Sequence, residues 1–493
     1  MWLCRSSDLV FFALILDNLQ KYHRCEGKDI NDITAQIDRK IKYYLMNKTY
    51  DIIIIGAGPG GYAAAIRAAG LGLKACIIEK ELIGGACLNW GCIPTKTFAR
   101  SADLLYQMKQ AGEFGIEVKS YGFDFAKISD RKESVVDKLR LGAESLLRMK
   151  SVDIIKSEAR FLGPNKVQAA DDIIESKNII IATGSKPAEL ESLKFDHKNI
   201  LSSRDMLSLK CLPKSIVIIG GGFIGCEFAS IYNRLGVGVT IVEIADQLMP
   251  GTDKEMVKRI ELAFGKNGIR IFKKEKVASI DNNDDSVSVR LGGGMAIDCD
   301  KILLCVGRRP NIDGLNPEAA GIDTENGFVC VDSKLRTNIP HIYAIGDVKA
   351  GYPLAHVAAY EGVLAVDNIA GKNRKADYSA VPSAVFTHPE IATVGLSLDK
   401  ARTQIPDAGE VKLPFSAVSK AHIYGETDGL VKLIFSTKTR KILGAAILGP
   451  LASEIISNFT IAIKNNLTVD DLSHTIFTHP TLSESVLDIA RRV

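Results

Sequence analysis

The sequence predicts an α/β protein with two Rossmann-like dinucleotide-binding domains and a C-terminal α+β domain. A glycine-rich strand–helix–strand pattern occurs twice in the 493 residues, and the chain after about residue 383 carries no third copy. The first copy reads IIIIGAGPGGYAAAIRAAGLGLKACIIEK (52–80), and the second reads IVIIGGGFIGCEFASIYNRLGVGVTIVEI (216–244). The copies align without a gap, and each has an apolar strand, a glycine turn, a helix and a second strand ending in glutamate.

The glycines and the glutamate of each copy have distinct physical roles. The first glycine allows a tight turn, the second lets the backbone approach a pyrophosphate, and the third lets the helix pack on the strand. Phosphates are favoured at the helix N-terminus, and the glutamate can accept a hydrogen bond from a ribose hydroxyl. The matching positions are Gly56, Gly58, Gly61 and Glu79 in the first copy and Gly220, Gly222, Gly225 and Glu243 in the second. One copy alone is weak evidence, but two in the same frame predict sites for two different dinucleotides.

The second copy also predicts which nicotinamide dinucleotide binds. Glu243 is followed by IADQLM, which offers no arginine to a 2′-phosphate. A carboxylate repels that phosphate, so the sequence favours NAD over NADP.

Later apolar strands complete the two units. IIIATG (179–184) closes the first and ILLCVGRRPN (302–311) the second, while IYAIGD (342–347) ends in Asp347. Asp347 can hold a sugar hydroxyl or cap the next helix, and its position alone favours the cap. The C-terminal domain is predicted to contain strands at 429–436 and 442–449 and helices at 453–465 and 481–492.

Composition and charge argue against several classes of protein. The apolar fraction of 46%, the charged fraction of 24% and the net charge of +4 are ordinary for a globular protein and imply neither nucleic acid nor a membrane as partner. The first 45 residues differ from the rest, but their apolar run of eight (LVFFALIL) is far shorter than the roughly 20 residues that span a bilayer. We interpret residues 1–45 as an extension of uncertain role, with a targeting or docking segment as the alternative.

The motif CLNWGC contains the one close pair among the ten cysteines, Cys87 and Cys92. A disulfide between them requires a tight turn, which the neighbouring glycines permit, and Pro94 suits the first turn of a following helix. The dipole of that helix would lower the pKa of Cys92. With no second pair or Cys/His cluster, no metal site is predicted. Two unconnected buried thiols remain an alternative, but the position just after Glu79 favours a redox role.

Near the C-terminus, THPTLSE places His479 five residues before Glu484. The glutamate can orient the imidazole and raise its basicity, which suits an acid–base couple. A helix start capped by Thr481 and Glu484 explains the same residues equally well. His388, in FTHPE, is interpreted as structural.

From about Thr49 to Val493 the chain resembles the flavin-dependent pyridine nucleotide–disulfide oxidoreductases. The shared motifs occur in the family's order: GAGPGGYAAAIRAAGLG, GGACLNWGCIPTK, ATGSKP, IIGGGFIGCEFA, VGRRPN, IYAIGDV, LAHVAAYEG and HPTLSE. The resemblance implies FAD on the first unit and NAD on the second. We expect an FAD-binding domain at 46–187 and 313–382, an NAD-binding domain at 188–312 and a dimerisation domain at 383–493.

The resemblance also implies roles for single residues. Besides the glycines and glutamates already named, it assigns to FAD Lys96, Ala159, Thr183, Gly184, Asp347 and Ala355, and to NAD Val277 and Gly307. Lys96 would pair with Glu227 near the flavin. In a two-fold homodimer, His479 and Glu484 would serve the active site of the other subunit.

The activity implied by the resemblance is the oxidation of protein-bound dihydrolipoamide. Substrate would attack Cys87, and Cys92 would face the flavin and pass electrons through FAD to NAD⁺. The expected partners are lipoyl-bearing domains of 2-oxoacid dehydrogenase or glycine-cleavage complexes. A glutathione-reductase-like enzyme and an NADH diaphorase are the alternatives. The expected location is the cytoplasm, or an organellar matrix if residues 1–45 are a targeting segment.

Overall fold

The computed structural model describes residues 49–282 and 287–493, so the predictions about residues 1–45 lie outside the described residues. The first region runs from the N-terminal strand to a short strand after the first unit. Its elements are β1 (Thr49–Ile55), α1 (Pro59–Gly70), β2 (Ala75–Glu79), α2 (Gly85–Trp90), α3 (Cys92–Gln110), α4 (Phe125–Met149), β3 (Asp153–Lys156), β4 (Ala159–Gly163), β5 (Lys166–Ala169), β6 (Asp172–Ile181) and β7 (Ser185–Pro187).

The second region contains the second glycine-rich copy. Its elements are β8 (Ile200–Leu201), α5 (Ser203–Ser208), β9 (Ser215–Ile219), α6 (Phe223–Arg234), β10 (Gly238–Glu243), α7 (Lys254–Lys266), β11 (Arg270–Lys273), β12 (Val277–Asn282), β13 (Val287–Leu291), β14 (Ala296–Cys299), β15 (Lys301–Leu304) and β16 (Arg308–Pro310).

The remaining elements return to the first sheet and then build the C-terminal domain. They are β17 (Thr324–Glu325), β18 (Phe328–Val329), β19 (Ile342–Ala344), α8 (Ala355–Ile369), β20 (Ser383–Val385), β21 (Glu390–Gly395), α9 (Leu398–Gln404), β22 (Ala408–Pro414), α10 (Ser419–Tyr424), β23 (Leu430–Ser436), β24 (Ile442–Gly449), α11 (Ala452–Lys464), α12 (Val469–Ser473) and α13 (Glu484–Ala490).

The two glycine-rich copies form equivalent parallel strands in two sheets. The first sheet has the order β3-β2-β1-β6-β5-β4 with β19 also beside β6, and in it β5 pairs antiparallel with both β6 and β4. The second sheet has the order β11-β10-β9-β15-β8 and is parallel throughout. Four consecutive isoleucines of β1 are buried, as expected for a parallel strand covered on both faces. Small residues on α1 let the helix lie close to the sheet. The predicted fold class of two Rossmann-like domains is confirmed.

The C-terminal domain is a five-stranded antiparallel sheet with the order β20-β21-β24-β23-β22. Helix α11 packs on it around the buried Phe459. The predicted strands lie within one residue of β23 and β24, whereas the predicted helix at 481–492 is shorter and spans Glu484–Ala490. Because this domain supplies His479, its position decides which redox pair that histidine can reach.

Candidate functional site

The two cysteines lie on either side of a helix break. Cys87 belongs to α2, and Cys92 is the first residue of the 19-residue α3, with Pro94 in its first turn. A Cβ at the intervening Gly91 would lie 2.8 Å from the Ala86 carbonyl oxygen and 3.1 Å from the Cys87 Cα. Only glycine permits this approach, which explains why the turn that joins the two thiols contains one.

The thiols are hydrogen-bonded to each other and differ in acidity. Because the Cys87 thiol donates to the Cys92 sulfur, the pKa of Cys92 is lowered to about 7; Lys96 also lowers it, against the effects of burial and Glu227. The same hydrogen bond and burial raise the pKa of Cys87. In this reduced pair Cys92 therefore carries the thiolate, the direction that its place at a helix N-terminus predicts.

Lys96 joins helix α3 to the other two domains. Its Nζ lies 2.8 and 2.9 Å from the carboxylate oxygens of Glu227 on α6, which is only 7% exposed. The same Nζ is 4.4 Å from the centre of the Phe386 ring, and the Phe386 N–H donates to Glu227 at 3.0 Å. A buried carboxylate without this cation would be strongly unfavourable, so loss of Lys96 alone would destabilise the junction beside the cysteines.

The glycine turn of the first unit leaves room for a phosphate. Gly56 has φ of +101°, and a Cβ there would lie 2.4 Å from the Ala182 carbonyl oxygen. Gly61 approaches the Gly56 carbonyl even more closely, whereas a Cβ at Gly58, the N-cap of α1, would meet no atom within 4 Å. The turn is thus tight where it must be and open where a pyrophosphate would lie.

Two further observations fit a bound FAD at this unit. The Thr183 Oγ1 is buried and has no hydrogen-bond partner among the described residues. Helix α8 begins at Ala355 without a side-chain cap, so its first N–H groups are available to a polar ligand. A cofactor that brings hydroxyl and phosphate oxygens suits both. Ala159 is the first residue of β4, and the Ser157 N–H, two residues earlier, donates to the Glu79 carbonyl.

The glutamates at the strand ends organise the two turns in the same way. Glu79 accepts from the N–H groups of Ala57 (2.7 Å) and Glu81 (2.8 Å). Glu243 accepts from the N–H groups of Gly221 (2.6 Å) and Ala245 (2.8 Å). A carboxylate has about four lone-pair positions, so each can still accept from a ribose hydroxyl.

The remaining residues predicted to bind NAD lie around the second turn. Val277 begins β12, which starts two residues after Glu275, whose N–H donates to the Glu243 carbonyl. Gly307 has φ of +121° and lies between β15 and β16. The apolar strand of 302–311 thus runs into a glycine, as the sequence predicts.

Asp347 does not cap the next helix, although its position alone favoured a cap. The N-cap of α8 is Leu354, and the Asp347 carboxylate instead accepts from the Ser185 hydroxyl at 2.6 Å. Arg308 donates to Ser185 through Nε and Nη2, both at 2.7 Å. Sequence reasoning missed Ser185 and Arg308; their place in ATGSKP and VGRRPN was the available signal.

His479 and Glu484 are a hydrogen-bonded couple. The His479 Nδ1 lies 2.9 Å from Glu484 Oε1, and the Thr481 N–H donates to Oε2 at 2.8 Å, so the carboxylate both orients the ring and organises the helix start. These bonds lower the pKa of Glu484. The imidazole is 72% exposed, and within the described residues it is bonded to Glu484 and not to the cysteines.

His388, unlike the exposed His479, is half-buried against an aromatic ring. Its ring packs 4.4 Å from that of Tyr106, and burial together with Arg234 lowers its pKa to about 4. It is a packing residue, as interpreted from the sequence. Over residues 49–282 and 287–493, no cluster of three metal-ligating side chains occurs, and no helix is long and apolar enough to cross a membrane.

A polarised cysteine pair beside one of two dinucleotide-binding units defines a disulfide oxidoreductase that uses dinucleotides. Comparison with protein families agrees: residues 50–362 match the pyridine nucleotide-disulphide oxidoreductases, and residues 381–490 match the dimerisation domain of that family. The chain belongs to this family, whose members use FAD and NAD, and it carries the family's dimerisation domain.

Individual relatives extend the comparison over most of the chain. A protein named dihydrolipoyl dehydrogenase from Chlamydia pneumoniae is 41% identical over 89% of this chain and 96% of its own length. One of the same name from Geobacillus stearothermophilus is 42% identical, with 89% and 95% covered. Among solved structures, LpdA from Mycobacterium tuberculosis superposes with a TM-score of 0.84 at 30% identity, covering 90% of this chain and 99% of that one. RclA from Escherichia coli, a flavoprotein disulfide reductase, gives 0.82 at 30% identity, with 90% and 100% covered.

Proposed function

We propose that the protein oxidises dihydrolipoamide to lipoamide and transfers the electrons through the Cys87–Cys92 pair and FAD to NAD⁺. The observation that carries the proposal is the polarised thiol pair, with Cys92 at a helix N-terminus beside the Lys96–Glu227 ion pair. The identity of about 40% to two relatives named dihydrolipoyl dehydrogenase supports this substrate over glutathione and over a simple diaphorase reaction.

The reaction on the protein side is thiol–disulfide exchange. In the oxidised enzyme, His479 accepts a proton from one substrate thiol, and the resulting thiolate attacks the Cys87 sulfur. The Cys87–Cys92 bond breaks, and Cys92 leaves as a thiolate, which its low pKa favours. The second substrate thiol then attacks the substrate sulfur bonded to Cys87, the Cys87 sulfur leaves, and the proton of that thiol passes to Cys87. Lipoamide is released with a new S–S bond, and the enzyme pair is reduced by two electrons. When bound, FAD supplies the two-electron transfer from this pair to NAD⁺.

FAD would be held by the turn from Gly56 to Gly61, with Thr183, Gly184, Asp347 and Ala355 around the rest of the cofactor. NAD would lie on the second turn beside Glu243, Val277 and Gly307. Glu79 and Glu243 fix the backbone N–H groups of their turns and would orient a ribose.

The proposed functional unit is a homodimer in which His479 and Glu484 act on the cysteine pair of the second copy. The exposure of His479 and its lack of a bond to the cysteines among the described residues support a shared site, as does the matched dimerisation domain. Lipoyl-bearing domains are the proposed partners. A cytoplasmic location is proposed from the sparse use of cysteine pairs.

Anaerobic titration with dihydrolipoamide, followed by NAD⁺, tests the proposal. We expect a long-wavelength absorption band from the thiolate beside the flavin, and then NADH. Cys87→Ser removes the dithiol reaction by at least about a thousandfold because the attacked sulfur is lost. The control Cys211→Ser, at an exposed cysteine elsewhere, should have no effect. Faster turnover with oxidised glutathione and NADPH would refute the substrate.

Mixing of inactive subunits tests the shared site. His479→Gln should lower turnover by about 10²–10⁴-fold through loss of the general base. If His479 serves the second copy, a mixed dimer of Cys87→Ser and His479→Gln contains one intact site, so remixing equal amounts should restore roughly a quarter of wild-type activity by symmetry. No recovery in dimers shown to have exchanged subunits would contradict the shared site.

A further inference from the structure

A short antiparallel ribbon joins the two dinucleotide-binding units. Strand β7 follows the closing strand of the first unit, β16 follows that of the second, and Arg308 pairs with Pro187 and Pro310 with Ser185. Beyond the ribbon, the Ala188 N–H donates to the Gly307 carbonyl at 3.0 Å. The carboxyl ends of the strands in both sheets therefore meet, at the edge where such sheets bind nucleotides.

Arg308 crosses from the second unit into the predicted FAD site. Its guanidinium donates to both the hydroxyl and the carbonyl of Ser185, and the Ser185 hydroxyl donates to Asp347 Oδ2. The Arg308 Nε lies 3.9 Å from the same carboxylate oxygen. Only about a quarter of each side chain is exposed, 26% for Arg308 and 24% for Asp347. Both hydrogen bonds of the Arg308 guanidinium go to Ser185, so Arg308 orients Ser185. The Ser185 hydroxyl in turn orients the Asp347 carboxylate.

The neighbouring arginine offers a built-in comparison. Arg309 lies next along the same ribbon, and its side chain is 53% exposed with a contact of 3.4 Å to Asp313. Successive side chains of a strand point to opposite faces. The two arginines thus carry the same charge one residue apart, and of the two only Arg308 is bonded to Ser185, the residue that holds Asp347.

We propose that Arg308 is a positioning residue for the FAD site that is supplied by the NAD-binding unit: it fixes Ser185, and Ser185 fixes the Asp347 carboxylate. The inference rests on the proposed placement of FAD on the first unit. FAD retention should then depend on a side chain that follows directly after Gly307 of the proposed NAD site.

The test measures FAD release from the holoenzymes by recovery of FAD fluorescence, together with the visible absorption of the bound flavin. Arg308→Met should weaken FAD binding by roughly ten- to a hundredfold, because an Asp347–Ser185 pair loses its charged donors. Arg308→Lys should restore part of the affinity, since it keeps the charge but not the fork. The FAD affinity of the matched control Arg309→Met should remain within about twofold of wild type, because the ion pair of Arg309 with Asp313 is exposed. The flavin band should shift in Arg308→Met and not in Arg309→Met.

Equal FAD retention and equal flavin spectra in Arg308→Met and Arg309→Met would overturn the inference. If Arg308→Met does not fold, Ser185→Ala tests the inference instead, because it keeps both arginines and removes the bridging hydroxyl. FAD should then dissociate faster from Ser185→Ala than from Arg309→Met. A wild-type protein that neither contains nor binds FAD would overturn the proposed function itself. If the wild type retains FAD and the two arginine variants retain it equally well, only the proposed role of Arg308 is overturned.

Discussion

The two dinucleotide-binding units share their frame but not their surroundings. Gly56 and Gly220 have φ of +101° and +104°, and a Cβ at either would lie 2.4 or 2.3 Å from a carbonyl oxygen of the closing strand's end. The glutamates of both units accept from two backbone N–H groups each. The local sequence therefore produces the same turn twice.

The two units differ in the segments of the chain that pack over each glycine turn. In the first unit, helix α8 approaches α1 so closely that a Cβ at Gly362 would lie 2.3 Å from the Gly60 carbonyl oxygen. A Cβ at Gly85, the first residue of α2, would lie 2.7 Å from the Gly58 Cα. In the second unit the nearest cover is the loop after Glu243, where the Met249 N–H donates to the Gly221 carbonyl. A turn covered by helices suits a cofactor that stays bound, as proposed for FAD, and a turn covered by a loop suits a cosubstrate that exchanges, as proposed for NAD⁺. On the proposed assignment the same motif binds both dinucleotides, and the segments packed over each turn determine which one stays bound.

Among changes that compare the two units, the largest effect is expected from placing the same methyl group in each turn. Gly56→Ala should remove FAD and lower dihydrolipoamide turnover by about a hundredfold or more, because backbone strain and a carbonyl clash oppose the turn. Gly220→Ala should raise the KM for NAD⁺ by a similar factor, while dihydrolipoamide still reduces the flavin. FAD content and rapid-mixing absorbance measure the two effects separately.

Gly72→Ala is the control for backbone strain alone. Gly72 has φ of +75°, but a Cβ there would meet no atom within 4 Å. It should lower stability modestly and retain FAD. If Gly56→Ala and Gly220→Ala lose the same cofactor, the assignment of one dinucleotide to each unit is wrong.

A smaller effect, about tenfold, is expected at the glutamate of the second unit. Glu243→Ala removes the acceptor for two N–H groups and the charge that repels a 2′-phosphate, so the preference for NAD⁺ over NADP⁺ in kcat/KM should shrink by about that factor. The exposed Asp246 is the control, because Asp246→Ala removes a charge three residues away and should leave the preference unchanged. An unaltered ratio in Glu243→Ala would show that other groups select the cosubstrate.

The sequence predicted features that depend on local geometry. Gly56, Gly220 and Pro94 have their roles from backbone conformation, which a motif records directly. Contacts between distant segments were harder to predict. The bond from Ser185 to Asp347 spans 162 positions, and no spacing rule connects them. The loop that covers the second turn likewise depends on tertiary packing rather than on the motif.

The smallest effect concerns the ion pair in which the first unit supplies Lys96 and the second supplies Glu227. Apart from the Cys87 hydrogen bond, Lys96 lowers the pKa of Cys92 and Glu227 raises it. Because the lowered pKa keeps the thiolate populated above about pH 7, Lys96→Met should move the midpoint of the thiolate–flavin band to higher pH, by about one unit.

Further substitutions distinguish the contribution of Lys96 to the pKa of Cys92 from that of Glu227. Lys96→Arg keeps the cation and should keep the midpoint. Adding Glu227→Gln to Lys96→Met removes the buried carboxylate that the first change leaves unpaired, so the midpoint should move back part of the way toward that of wild type. If Glu227→Gln leaves the pH midpoint of the thiolate–flavin band unchanged, the second unit has only a structural role at this junction. The charges that set the pKa of Cys92 would then come from the first unit alone.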